Sequence, residues 1–265
     1  MARSVRLPYF RSSPTLPSQA SKSPGTKGAL RPLYRGRIMA WLMWPWFVLA
    51  LLHWTWCWSF EQSRELPLLR AFVWIATMAN VVISDKYHNS DLAPKPSAEL
   101  ELYWLRLDFC GIAAVLASTF ALWSAHFGWH GVLFPLAILT NVCAAAVAAL
   151  AFSALSTTFG ETAVKAVMFV QFIPCFGHMV FDALRSSDCG VYTLIWFTYL
   201  PGVVVYILQI PSDGPLYGAH DLFHVSVILG HLASAAFDAW NLTGAGCNCL
   251  NASSEWASCS SSGVS

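Results

Sequence analysis

Charge is what this chain has least of. Asp, Glu, Lys and Arg make up only 11% of its 265 residues, against 56% hydrophobic types. Ordinary soluble domains carry roughly 25% charged residues. A soluble core of this length needs charged outer faces, and they are missing. Acid is absent altogether from residues 1–60, where eight Lys or Arg occur, and Glu61 is the first carboxylate. No apolar h-region accompanies that basic start, so it is not a secretory signal. The net charge is +1. It leaves no basic body to bind nucleic acid, which is excluded as a partner.

Long apolar runs take the place of charge, and the mean hydropathy is +0.53. Apolar stretches fall at about 38–60, 68–88, 103–125, 129–152, 163–184, 190–210 and 219–241. Each is long enough for a helix to cross a hydrocarbon core of about 30 Å. Seven spans fit this length only with short loops. The expected fold class is all-α integral membrane, a seven-transmembrane helix bundle over 38–242. Residues 1–37 form a basic tail and residues 243–265 a Ser- and Cys-rich tail, both of disordered composition.

The basic tail reads in two ways: as a cytosolic tail obeying the positive-inside rule, or as an organellar transit peptide, Arg- and Ser-rich and poor in acid. Either way it puts the N-terminus inside and, after seven spans, the C-terminus outside or lumenal. Loop charges alone tie, with Lys86, Lys95 and Lys165 inside against Arg64, Arg70 and Arg185 outside. The C-terminal tail holds two sequons, at Asn241 and Asn251, accessible to glycosylation only on the lumenal side. Cys189, Cys247, Cys249 and Cys259 lie on that side and read as free thiols, with disulfides the alternative. The CNC spacing is not a zinc pattern. Cys57, Cys110, Cys143 and Cys175 read as small apolar residues within or near spans. The membrane is the plasma membrane or an endomembrane, or a plastid or mitochondrial one if the tail is a transit peptide.

Against this apolar background the ionisable residues stand out. His220 and His224 open the last segment in AHDLFHVSVILG. Four residues is about one helical turn, so both imidazoles share a face. Ser84 and His88 repeat that spacing at the end of the second segment, and Asp108 lies near the start of the third. With the N-terminus inside, span 2 ends inside and spans 3 and 7 begin there. Topology brings His88, Asp108, His220 and His224 to one depth. Ionisable groups inside a membrane are costly and mark function. Three imidazoles are what a catalytic zinc takes from protein, leaving a position for water, whose pKa it lowers towards ~7. Asp108 would orient that water and accept its proton. Ser84 would bind a neighbouring group or an oxyanion. A hydrogen-bonded polar network without metal is the alternative. His126 and His130 have the same spacing but lie on the opposite side, so they read as an interfacial loop. His53, His178 and His231 read as structural, with His231, two turns beyond His224, also able to line a cavity above the metal.

At these residues the chain resembles the progestin and adipoQ receptor (PAQR) family, which includes adiponectin receptors and hemolysin III-like proteins. Ser-x-x-x-His occurs at Ser84 to His88, Leu-Asp-aromatic-x-Gly-Ile at LDFCGI (107–112), and His-x-x-Phe-His at HDLFH (220–224). The resemblance covers about 38–242. It implies a seven-span fold with the N-terminus inside, Zn2+ held by His88, His220 and His224, and Asp108 and Ser84 as catalytic residues. The family's Glu and Asn at the first span are missing from LYRGRIMAWLMW, and QIPSDGPLYGAH replaces its Pro-Glu segment before the last span. The related alkaline ceramidases carry an acidic Trp-Cys-Glu stretch ahead of the first span, whereas Trp56-Cys57-Trp58 sits at that span's far end. Three functions follow as expectations. The first is a zinc-dependent hydrolase of lipid amides, with a ceramide-like membrane lipid as its partner. The second is a signalling receptor with structural zinc, and the third a lipid-homeostasis protein without turnover. The sequence names no protein partner.

Overall fold

The computed structural model describes residues 32, 34, 37–60, 65–89, 98–126, 132–185, 190–212 and 214–242. Seven helices account for nearly all of them: α1 (Arg37–Phe60), α2 (Glu65–His88), α3 (Ala98–His126), α4 (Leu133–Ala154), α5 (Thr158–Arg185), α6 (Gly190–Leu208) and α7 (Ala219–Leu242). They coincide with the seven apolar segments to within a few residues. Most of the basic tail, the C-terminal tail with Asn251, Cys247, Cys249 and Cys259, and residues Cys189 and His130 lie outside the described residues, as do the side chains of Cys57, His126, His178 and Asn241.

Each helix packs on the next in sequence, and α7 returns to pack on α1, closing a ring; α3 also touches α5. Short connections force this neighbour-to-neighbour order. The burial pattern inverts that of a soluble protein. Trp44, Leu52, Phe159 and Phe169 are exposed on the outside, while Arg70, Thr77, Ser84, Asp108 and Gln171 are buried within. Among the described residues, four helices, over Pro67–His88, Glu99–Ala125, Leu133–Ala154 and Thr158–Gly177, are long and apolar enough to cross a membrane. An apolar outer face and polar interior are consistent with an integral membrane protein, whose backbone groups must be satisfied within helices.

Prolines at 45, 174 and 201 sit inside α1, α5 and α6. Each removes a backbone donor, which membrane helices tolerate when neighbours supply polar partners. Gln171 ties three of the helices together. From α5 it donates to the carbonyls of Ala113 on α3 (2.8 Å) and Thr140 on α4 (3.0 Å). Cys143 and Cys175 are buried free thiols and Cys110 is half-buried, in keeping with a role as small apolar residues.

Candidate metal centre

Two helix ends build the site. His88 is the last residue of α2, and His220 and His224 occupy the first two turns of α7. The start of α7 is set by its own sequence: the Asp221 carboxylate accepts the Gly218 amide hydrogen (2.8 Å). It thereby satisfies a donor that the helix cannot. Before it, Gln209 ends α6 in a left-handed conformation (φ 53°). The Ala219 amide donates to the Pro211 carbonyl (3.0 Å) and the Gly214 amide to Tyr217 (2.9 Å). A backbone bond from Tyr34 to the Leu216 carbonyl (2.9 Å) anchors the lead-in to α1 on the same loop. Asp221 thus has a definite task inside the HDLFH motif. Sequence reasoning passed over it, although an acid in a first helical turn is its usual signal.

The three imidazoles converge. His220 Nε2 lies 3.1 Å and His224 Nε2 3.0 Å from His88 Nε2. The ligand atoms of the three residues all fall within 4.8 Å of one another, the one such group among the described residues. His88 and His224 are buried and His220 is partly so. Hydrogen bonding alone accounts poorly for this arrangement. His88 Nε2 carries either one proton or one lone pair in the ring plane, so it can satisfy one neighbouring nitrogen well, not two. Three imidazole nitrogens so close together suit a cation. Two nitrogens each ~2.05 Å from a tetrahedral zinc lie roughly 3.3 Å apart, close to the spacing found.

Ser84 and Asp108 complete the neighbourhood. Ser84, one turn before His88 on the same face of α2, is 1% exposed, and Asp108 on α3 is 8% exposed. Ser84 lies near enough to the Asp108 carboxyl to act on it as a weak hydrogen-bond donor, yet neither Ser84 Oγ nor Asp108 Oδ1 has a hydrogen-bond partner of ordinary length and angle. Buried polar atoms without partners are rare and call for an unseen group between them. A water or substrate oxygen fits that need. Gly111, one turn beyond Asp108, permits the approach of α3 to α2. A Cβ there would lie 2.8 Å from the Asn80 side chain and 3.2 Å from its Cα. The motif's glycine is thus a packing requirement.

Arg70 departs from its sequence reading. It is not a loop charge on the outer side but lies inside α2, fully buried. Its guanidinium meets both Asp238 oxygens, with Nη2 2.9 Å from Oδ1. His53 Nε2 lies 3.2 Å from the same carboxylate. A charged residue near a segment's edge can be solvated or buried, and sequence alone does not distinguish them. His231 hydrogen-bonds Tyr199 (2.9 Å) and lines a cavity beside this ion pair.

A ring of helices with an apolar outer face and a cluster of three histidines at one end defines a membrane-helix protein able to hold a metal ion. The model of the Haemolysin-III related family matches residues 36–235, which include Ser84, His88, Asp108, His220 and His224. The chain therefore belongs to the Haemolysin-III related family, within the wider PAQR and hemolysin III group. No curated protein matches it.

Proposed function

We propose that this chain is a seven-span membrane protein, N-terminus inside and C-terminus outside or lumenal, that holds Zn2+ through His88, His220 and His224 and hydrolyses a lipid amide of the ceramide class. The observation that carries the reading is the convergence of three Nε2 atoms near two buried, unpartnered oxygens, Ser84 Oγ and Asp108 Oδ1. The burial of Arg70 supports the orientation, because it removes one charge from the outer tally and leaves the inner side the more basic. The spanning region is 38–242, flanked by the two tails.

A bound zinc supplies Lewis acidity and lowers the pKa of a water towards ~7. Asp108 accepts the proton of the water that attacks the amide carbonyl carbon. The Ser84 hydroxyl donates to the oxygen that gains charge. The C–N bond breaks, the nitrogen takes the proton back from Asp108, and a free acid and an amine leave. Substrate reaches this depth laterally through the bilayer. The same donor set also serves a signalling receptor or lipid-homeostasis protein in which zinc merely ties α2 to α7.

Metal analysis of purified protein tests the centre. The native chain should carry about one zinc, and the His220→Ala, His224→Ala variant should carry none. Equal zinc in both overturns it. Asp108→Ala separates the functions: a hydrolase keeps zinc and loses ceramide turnover, whereas a structural centre keeps both zinc and signalling. No hydrolysis by zinc-loaded native protein would rule out the enzyme for this substrate class.

A further inference from the structure

Two polar stripes face the interior of the ring along its length. On α7 they are His224, His231 and Asp238, and on α2 Arg70, Thr77 and Ser84, all buried. Seven residues are almost two turns, so each set stays on one helix face and rises about 10.5 Å per step. The helices run in opposite directions. Ser84 therefore stands level with His224, Thr77 with His231, and Arg70 with Asp238. The first rung is the candidate metal centre and the last is the ion pair. The middle rung has no described contact to close it.

The hydrogen bonds described at the ion pair fix the tautomer of its histidine. The Trp74 indole can only donate, and it donates to His53 Nδ1 (2.9 Å). His53 must therefore carry its proton on Nε2, which points at Asp238 Oδ2 (3.2 Å). Histidine is thus neutral, and the cluster balances one cation against one anion. His231 is different. Its Nδ1 engages Tyr199 Oη (2.9 Å), but its Nε2 is buried without a partner, and the residue is 5% exposed. His231 borders a cavity of about 20 Å³ lined also by Arg70, Thr77, Ser234 and Asp238.

We propose that this cavity is a binding site for one structural water molecule, held by His231 Nε2 and linking it to the ion-pair end of the bundle. A water needs roughly 10–15 Å³ and two to four polar neighbours, and the cavity offers both. It is too small for a larger ligand. A metal ion is excluded by the partners, because the Asp238 oxygens face Arg70 and His53 and the His53 lone pair is taken by Trp74. The water completes the ladder. It joins α2 to α7 halfway between the metal centre and the ion pair, and through Tyr199 it reaches α6. The site lies outside the metal centre and stands whether or not the chain is a hydrolase. Asp238 falls beyond the stretch matched by the family.

A density map of the full chain at a resolution that shows ordered waters should contain one within ~3.2 Å of His231 Nε2. An empty cavity in such a map overturns the proposal. Thermal unfolding gives an independent sign. In a Tyr199→Phe background, His231 has lost its only protein hydrogen-bond partner among the described residues. If a water is bound, His231→Phe evicts it and lowers Tm further by several degrees. If the cavity is dry, replacing an orphaned imidazole by phenyl raises Tm or leaves it unchanged, which refutes the site. Should the Tyr199 variant fail to fold, Thr77→Val in the native chain reads the same sign, with lower Tm expected and no change refuting.

Discussion

Ser84 and Asp108 each bury an oxygen without a partner, and that shared deficit sets what their substitution should do. On the proposed mechanism, Ser84→Ala removes the donor to the attacked carbonyl while leaving the imidazoles untouched. Turnover should fall about 10²- to 10³-fold, as for other lost oxyanion donors, with zinc content unchanged. Equal turnover in the variant would remove Ser84 from the chemistry. Gly111 sets the distance between the helices that carry the pair. Its alanine variant forces a methyl against Asn80 backbone and side chain, an overpacking that costs about 1–3 kcal/mol. Thermal unfolding should register this loss. A variant as stable as the native chain would mean that α3 can move away freely. That His220 and His224 share a helix face was legible because four-residue spacing on a helix is a geometric fact, and the structure brings His88 to them. The task of Asp221 was passed over, because the two histidines beside it drew the reading of the motif.

At the level of elements, α2 and α7 are tied at both ends. Arg70 and Asp238 meet at one end, fully desolvated, and the imidazoles meet at the other. A buried ion pair contributes little relative to a good apolar replacement, but breaking it leaves a bare charge at a cost of about 3–5 kcal/mol. Arg70→Met should therefore lower stability by that order in denaturation measurements. Arg70→Met with Asp238→Leu should recover most of the loss, and a double variant as weak as the single would show that the pair itself is indispensable. The helices were foreseeable because apolar runs of twenty residues have few other uses. The partner of Arg70 was not, since it lies 168 positions away and only the closure of α7 onto α1 brings it near.

Among the described residues the helices form a closed ring whose outer face is apolar and whose interior holds buried polar groups. A metal bridging α2 and α7 binds only the assembled ring. Its removal should therefore destabilise the fold by linkage, by about 4 kcal/mol where free zinc stands a thousandfold above its Kd. Tm should fall on adding a chelator and return on adding zinc. A Tm indifferent to chelation would mean that the imidazoles are empty at equilibrium. Orientation can be read in sealed vesicles: protease should remove an N-terminal tag only from the cytosolic side, and cleavage from the lumenal side would reverse the proposed topology.

The amino-acid sequence by itself determined the helical class and the number and position of the helices, because apolar length is a local property. It also gave reason to expect His88, His220 and His224 at one end of the bundle, where the structure clusters them, because helices of alternating direction convert order along the chain into position at one end or the other. Distances were beyond it. That three Nε2 atoms come within hydrogen-bonding reach, that Gly111 seats α3 on Asn80, and that Arg70 and Asp238 neutralise each other depend on how helices rotate and pack about their axes. Those rotations are set by side chains from different helices meeting in one interior, and only the tertiary structure decided them.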